Sequence, residues 1–480
     1  MTPPISHPQE NQSNLQRAQS ARVEPKTLRT YTPTQAVLAR GAGVYFWTPE
    51  GRRLYDFTSG VLVSNLGHNP EKWMTRFTEY MGWRAYAAGK SPAAPPGFFS
   101  AMPMTTYNGI TPIEVQASRR LVEVLQESPG GKRLEQVLWA ASGSEAIQKA
   151  LWPAAARDHT RPMILATRYG FHGKKGLAGA VSGCETDHDR DPRVRFISFP
   201  MKECEDLTRR DAPFDPAPYR KELEALLYQF GRKIGTLITE PYIGGGGSYH
   251  PPKEYLHLLQ SFCRENDIVF VLDEVQANFG RTGCLFAFES YGLEPDIVVL
   301  GKGLGNGVPV AAAVGRADLF GSLEYGEGSD TWSANPLSCA AVLATLDEFA
   351  TTDVLGAARK SSAIIEEGLL RLKEFPFVAH VRGEKGGMVW GVEFLSHAGK
   401  TAADWANAVV LACYLGDGGA SDGIHLLGPL AKKVIRIAPP LVITETEAQA
   451  STDLMYRLTS ALINPSPRAV PSSPVLAGVS

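Results

Sequence analysis

Cysteine is sparse and scattered in this 480-residue chain: the six, Cys184, Cys204, Cys263, Cys284, Cys339 and Cys413, include no C-x-x-C spacing. That pattern speaks against a disulfide framework and against a thiolate metal site, so no metal is expected. Neither sign of charge dominates. With 48 basic against 50 acidic residues the formal net charge is −2, which leaves no electrostatic footprint for nucleic acid or an acidic membrane. No run of about 18 apolar residues exists to span a bilayer, and the polar first stretch lacks the apolar core of a signal peptide. A cytoplasmic protein is expected. Apolar residues as such are not scarce: 44% are hydrophobic and 20% charged, the balance of a soluble globular protein, and the length suggests about two or three domains.

The ends are poor in apolar residues. Residues 1–28 are rich in Gln, Ser and Asn, residues 465–480 in Pro and Ser, and both are expected as disordered tails because they bury too little to offset ordering. Residues 29–80 contain two short strand patterns, Val44-Tyr-Phe-Trp47 and Arg53-Leu-Tyr-Asp-Phe57, around a Pro/Gly turn; a hairpin belonging to a small domain is expected. From 81 to 349 short apolar runs alternate with helical patterns, which predicts a large α/β domain with a mainly parallel central sheet. From 350 to 464 the texture changes to long helices with short strands, read as a smaller α+β domain.

Two apolar runs in the large domain end in charge. Ile268-Val-Phe-Val-Leu272 leads into Asp273-Glu-Val-Gln276, and Ile297-Val-Val-Leu300 into Gly301-Lys302-Gly303. Both read as buried parallel strands, and ligands of open α/β sheets bind at the strands' carboxyl ends. An acid and a lysine arriving there together suit pyridoxal phosphate chemistry, in which a lysine holds the aldehyde as a Schiff base and an aspartate keeps the pyridine nitrogen protonated. Upstream, the strand Gln136-Val-Leu-Trp139, the small-residue turn Ala140-Ala-Ser-Gly143-Ser144-Glu145 and the helix that follows read equally as a phosphate site at a helix N-terminus or as a serine-capped helix without a ligand.

The run from Asp273-Glu-Val-Gln-Ala-Asn-Phe-Gly-Arg-Thr-Gly283 through Pro295-Asp-Ile to Lys302-Gly-Leu-Gly-Asn-Gly-Val-Pro309 resembles the class III aminotransferases, the ornithine, acetylornithine and 4-aminobutyrate group of fold-type I pyridoxal 5'-phosphate enzymes. The resemblance covers about residues 44–459. It implies amino transfer from an amino acid or ω-amine to a keto acid such as pyruvate or 2-oxoglutarate in a ping-pong cycle. An aminomutase, an epimerase or a dialkylglycine-type decarboxylase on the same fold is the alternative.

Matched position by position, the resemblance makes Lys302 the Schiff-base lysine, Asp273 the partner of the pyridinium nitrogen, Gln276 a ligand of the cofactor's phenolic oxygen and Val275 the packing on one ring face. Phe171 takes the stacking position on the other face, and Gly143 and Ser144 the phosphate turn. Glu240 stands at a family acid near Gln276. Thr331 matches a threonine that reaches the phosphate of the neighbouring subunit, so a homodimer with shared sites is implied. Arg436 matches the clamp for a substrate α-carboxylate, a role suited to its bidentate fork; an arginine on a strand is otherwise expected in a structural ion pair. Three positions depart from the family. Lys174 stands where an arginine for a second substrate carboxylate is usual, Gly245 where many relatives carry a glutamate that masks the clamp, and Val61 where ornithine enzymes have a tyrosine.

Overall fold

The computed structural model describes residues 5–188, 190–417 and 422–463. Its strands in chain order are β1 (Arg40–Ala42), β2 (Tyr45–Trp47), β3 (Arg53–Asp56), β4 (Gln136–Ala140), β5 (Met163–Thr167), β6 (Val194–Ile197), β7 (Ile234–Thr239), β8 (Val269–Asp273), β9 (Ile297–Leu300), β10 (Ala311–Gly315), β11 (Val378–Gly383), β12 (Trp390–Phe394), β13 (Gly423–His425) and β14 (Val434–Ile437). Seven of them form the central sheet in the order β4-β10-β9-β8-β7-β5-β6. All neighbours from β9 to β6 pair in parallel, whereas β10 is antiparallel to both β4 and β9. The α/β architecture with a mainly parallel sheet is therefore present.

The continuous apolar runs have a simple cause. Side chains alternate across a strand, and here both faces are covered. Phe270, Leu272, Val298 and Leu300 enter one core, while Val269, Val271, Ile297 and Val299 enter the other. Helix Gly143–Arg157 covers the second face with Ala146, Ile147, Ala150 and Leu151. Helices Pro112–Glu127, Lys253–Glu265 and Pro336–Thr351 contribute to the first core. Pro112–Glu127 begins where Thr111 Oγ1 accepts from Glu114 N and the Glu114 side chain returns to Thr111 N. Such a box is worth about 1 kcal/mol to the helix start.

Two smaller sheets flank this layer. One has the order β1-β2-β3-β13, with β13 parallel to β3, and the other β11-β12-β14. The hairpin expected between residues 44 and 57 is the antiparallel pair β2 and β3. No helix among the described residues is long and apolar enough to cross a membrane.

One expectation fails. Residues 1–28 are not wholly an unfolded tail, because Asn11–Val23 is a helix held against the body. It is held by polar contacts, which a count of apolar residues does not register. Ser13 donates from its N and Oγ to Glu50 at 2.8 and 2.7 Å. Buried Arg17 pairs with Glu10 at 2.7 Å and donates to Tyr414 Oη at 3.2 Å, and Glu10 takes Arg52 on its other oxygen. The tail expected at 465–480 lies outside the described residues.

Candidate active site

Strands β8 and β9 deliver the acid and the lysine side by side. Asp273, 3% exposed, closes β8; its Oδ1 accepts from Val275 N at 2.9 Å and its Oδ2 lies 2.7 Å from His172 Nδ1. Burial pushes the His172 pKa down, but the hydrogen bond and charge of Asp273 outweigh it, so the imidazole titrates above its ordinary value. Lys302 follows β9 in a short turn with φ of +48°, a left-handed conformation that costs a side-chain-bearing residue about 1–2 kcal/mol. Burial lowers its amine to about 8, and the charges that reach it are those of Asp273, Arg436 and Glu240.

Those four groups therefore share one site, although they come from four strands or strand ends. Glu240, just past β7, is buried; its Oε2 accepts from Phe171 N at 2.8 Å and its Oε1 from Gly244 N at 3.4 Å. Burial, partly countered by His172, raises its carboxyl to about 7. Arg436 lies on β14 with 6% exposure and donates from Nη1 to Gln276 Oε1 at 3.2 Å. Among the described residues no carboxylate stands within ion-pair distance of it, so the structural ion pair is absent. Burial pulls its pKa down.

Helix Gly143–Arg157 starts at this site. Ser142 caps it: Ser142 Oγ accepts from Glu145 N, and the Glu145 carboxylate accepts from the N–H groups of Ala141 and Ser142. The N–H groups of Gly143 and Ser144 have no hydrogen-bond partner among the described residues. Capping and anion binding are thus compatible at one helix N-terminus, with the cap using some donors and leaving two. Val275 packs between this turn and the lysine loop. A Cβ on Gly143 would lie 3.1 Å from Val275 Cγ1, and one on Gly301 3.3 Å from it.

The remaining expected residues are exposed. Phe171 is 42% exposed, and a Cβ on Gly245 would lie 3.0 Å from Phe171 Cβ. Lys174 is exposed and makes no ion pair among the described residues. Val61 is exposed, with φ of +68°. Thr331 is exposed in a loop fixed through Asp330, which accepts from buried Lys149 at 2.7 Å.

Residues 100–459 match the family model Aminotransferase class-III. The chain belongs to the class III aminotransferases. It is 29% identical over 415 residues to the acetylornithine aminotransferase of Agrobacterium fabrum strain C58, covering 85% of this chain and 90% of the relative. It is also 29% identical over 452 residues to the leucine/methionine racemase of Thermococcus litoralis, covering 91% and 93%. The crystal structure of an amine transaminase from an uncultivated Pseudomonas species, in its pyridoxal phosphate-bound form, superposes with a TM-score of 0.73 at 25% identity over 91% of this chain and 96% of that one. As a member of this family the chain is a pyridoxal phosphate-dependent enzyme.

The residues present fit that cofactor on structural grounds. A class III aminotransferase needs a phosphate cradle, and the free N–H groups of Gly143 and Ser144 at a helix N-terminus supply donors for one. It needs a carboxylate partner for a pyridinium, and Asp273 is fixed in the interior by His172 Nδ1 and Val275 N. His172 is the residue whose role the sequence did not disclose. It stands next to Phe171 in the Phe-His-Gly triplet, but only the approach of residue 172 to the end of β8 distinguishes it from a loop histidine.

Proposed function

We propose that this class III aminotransferase moves an amino group from an amino acid or ω-amine to a keto acid, pyruvate or 2-oxoglutarate, in a ping-pong cycle, working as a cytoplasmic homodimer. The observation that carries the reading is the convergence of Lys302, Asp273, Glu240 and Arg436 on one buried site. Pyridoxal phosphate, when bound, supplies an electron sink for the carbon that bears the amine. Gly143 and Ser144 would hold its phosphate, Val275 and Phe171 its ring, Gln276 its phenolic oxygen and Asp273 its ring nitrogen.

The rest is done by the chain's own groups. An amine lowered to about 8 is free enough near neutral pH to take a proton from the substrate carbon and return it elsewhere, so Lys302 Nζ is the proton carrier. His172 Nδ1 and Val275 N hold the Asp273 carboxyl in position. Glu240, near its titration point at about 7, orients Phe171 and the glycine loop through their N–H groups. Arg436 fixes a substrate carboxylate, while Lys174 and Val61 line the approach. Thr331 stands exposed beside Trp332, itself 60% exposed, a surface that a second protomer would cover.

The likeness to the leucine/methionine racemase favours a second reading on the same groups, inversion at the α-carbon. The two separate by their need for an acceptor. Purified holoenzyme should transfer the amino group of a donor into added pyruvate or 2-oxoglutarate, and borohydride should fix the cofactor on the peptide containing Lys302. Lys302→Ala should lose both. Turnover retained in that variant would sink the assignment, and loss of donor chirality without amino transfer would favour the racemase reading.

A further inference from the structure

Edge strand β1, the segment 64–69 and the far end of the Lys302 loop, at Asn306 and Gly307, enclose a cavity of about 340 Å³. None of its lining residues belongs to the site described above. Leu38 and Phe46 give it an apolar wall, and no carboxylate lines it among the described residues. Arg40 is exposed and makes no ion pair among the described residues; its guanidinium lies 5.3 Å from the centre of the Trp47 ring. Ser64, also in the lining, is only 9% exposed, yet its hydroxyl has no hydrogen-bond partner among the described residues. The same is true of the N–H groups of Asn69 and Gly307. A buried hydroxyl without a partner is costly, and a guanidinium and two N–H groups beside it are donors without an acceptor.

We propose that this cavity binds a small organic carboxylate, with its head on Arg40, Ser64 and the Asn69 and Gly307 N–H groups and its short body on Leu38 and Phe46, and that the bound anion steadies the Lys302 loop. A carboxylate supplies the acceptors that this donor set lacks, and a charged acceptor strengthens each hydrogen bond. Two strained turns adjoin the cavity. Residues Ser59 to Leu62 all have φ between +48° and +68°, one left-handed turn that carries Val61. Asp56 holds its head, accepting from Thr58 N at 2.7 Å and Ser59 N at 3.0 Å, and its other oxygen lies 2.7 Å from Nε2 of His68, a lining residue. The Lys302 loop has φ of +48° at Lys302 and +44° at Asn306. It is tied to the 64–69 segment, because Leu66 N donates to Asn306 Oδ1 at 3.0 Å and a Cβ on Gly303 would lie 2.4 Å from Asn65 Nδ2. Strained backbone of this kind persists only where its surroundings fix it. An anion that bridges Arg40 and Gly307 binds the present loop arrangement in preference to others and so favours it.

The test uses holoenzyme, whose phosphate turn is filled by its own cofactor, titrated calorimetrically with butanoate and separately with inorganic phosphate. Arg436→Met serves as the background, so that butanoate does not report the substrate clamp. Butanoate should bind there at one site per chain. Adding Arg40→Met should weaken it at least about tenfold, the loss of a charge-assisted contact. Adding Ser64→Val, which removes the hydroxyl and fills the cavity, should weaken it in the same direction. In the enzyme with Arg436 intact, butanoate should occupy two sites and Arg40→Met should leave one. Phosphate has no body for the apolar wall and should bind more weakly than butanoate; equal or tighter phosphate binding would overturn the carboxylate assignment. Hydrogen exchange of residues 303–308 should slow at least about threefold in saturating butanoate, and Arg40→Met should abolish the slowing. Without butanoate, Arg40→Met should keep amino transfer within about twofold of the parent, because Arg40 is a surface residue outside the site. Absence of saturable butanoate binding in the Arg436→Met enzyme, or binding that survives both Arg40→Met and Ser64→Val, would overturn the proposal. Binding with unchanged exchange in the loop would overturn its steadying of Lys302.

Discussion

Replacing His172 with phenylalanine tests the support beneath Asp273. The imidazole is buried, its Nδ1 lies 2.7 Å from Asp273 Oδ2, and its Nε2 has no partner among the described residues, so the substitution removes one side-chain hydrogen bond and a group that titrates above its ordinary value. Asp273 then keeps a single donor, Val275 N, and an uncompensated buried carboxylate costs about 3–5 kcal/mol. Protonation caps that cost: from an unfolded value of about 3.9, neutralising the acid takes about 4 kcal/mol at pH 7 and about 1.5 at pH 5. The variant's Asp273 is thus raised above its unfolded value, so the associated stability is full below about 3.9 and is lost as pH rises through the folded value, a fall of up to about 3 kcal/mol between pH 5 and pH 7. In the parent protein His172 is raised instead; its contribution is full below about 6.5 and declines only above that, by less than about 1 kcal/mol at pH 7. Urea unfolding of the cofactor-stripped protein at both pH values measures the difference. A variant as stable as the parent at pH 7, or one whose deficit does not shrink at pH 5, would refute the reasoning.

Glu240 should make stability fall with pH. Its folded value of about 7 lies above the ordinary 4.5, so the native state holds a proton that the unfolded state releases, and up to about 3 kcal/mol is lost as pH rises from about 4.5 through 7. Glu240→Gln should flatten that slope in the same titration, and an unchanged slope would place the proton elsewhere. Arg281→Met should cost about 2–4 kcal/mol in denaturant unfolding, since the buried guanidinium serves Asn65 Oδ1, Met388 O and Pro439 O and its loss leaves these acceptors unpaired; a change below about 1 kcal/mol would mean water replaces it. Arg17→Met should loosen helix Asn11–Val23, whose Arg17–Glu10 pair is buried, at about 2 kcal/mol. Hydrogen exchange in residues 11–23 should rise with it, and unchanged protection would show that the Ser13–Glu50 contacts suffice.

Much of the fold was open to reading because local pattern and burial agree. The runs that became β5, β7, β8 and β9 are apolar on both faces, which only a doubly covered strand needs. Strand β10 was not open in this way. Ala311-Ala-Ala carries little strand preference, and its state is set by the slot between β4 and β9, where tertiary context overrides propensity. The helix at Asn11–Val23 escaped for a related reason, since partners as distant as Glu50 and Tyr414 hold it.

In the site, residue type and spacing alone specified Asp273 and Lys302, because each ends an apolar run and a strand end can point only at the cleft. The cofactor class was suggested by that pair, whereas the small-residue turn left a phosphate site and a plain capped helix equally open. What chain order could not convey was distance between remote segments. Only tertiary structure sets His172 on Asp273, 101 positions away, and Arg436 on Gln276, 160 positions away. Gly245 looked like a missing glutamate; folded, its neighbour Gly244 leaves the space that the Gln276 amide fills beside Arg436. Hydrogen bonds and steric exclusion act over a few ångströms in space, and the sequence records those ångströms only for neighbours along the chain.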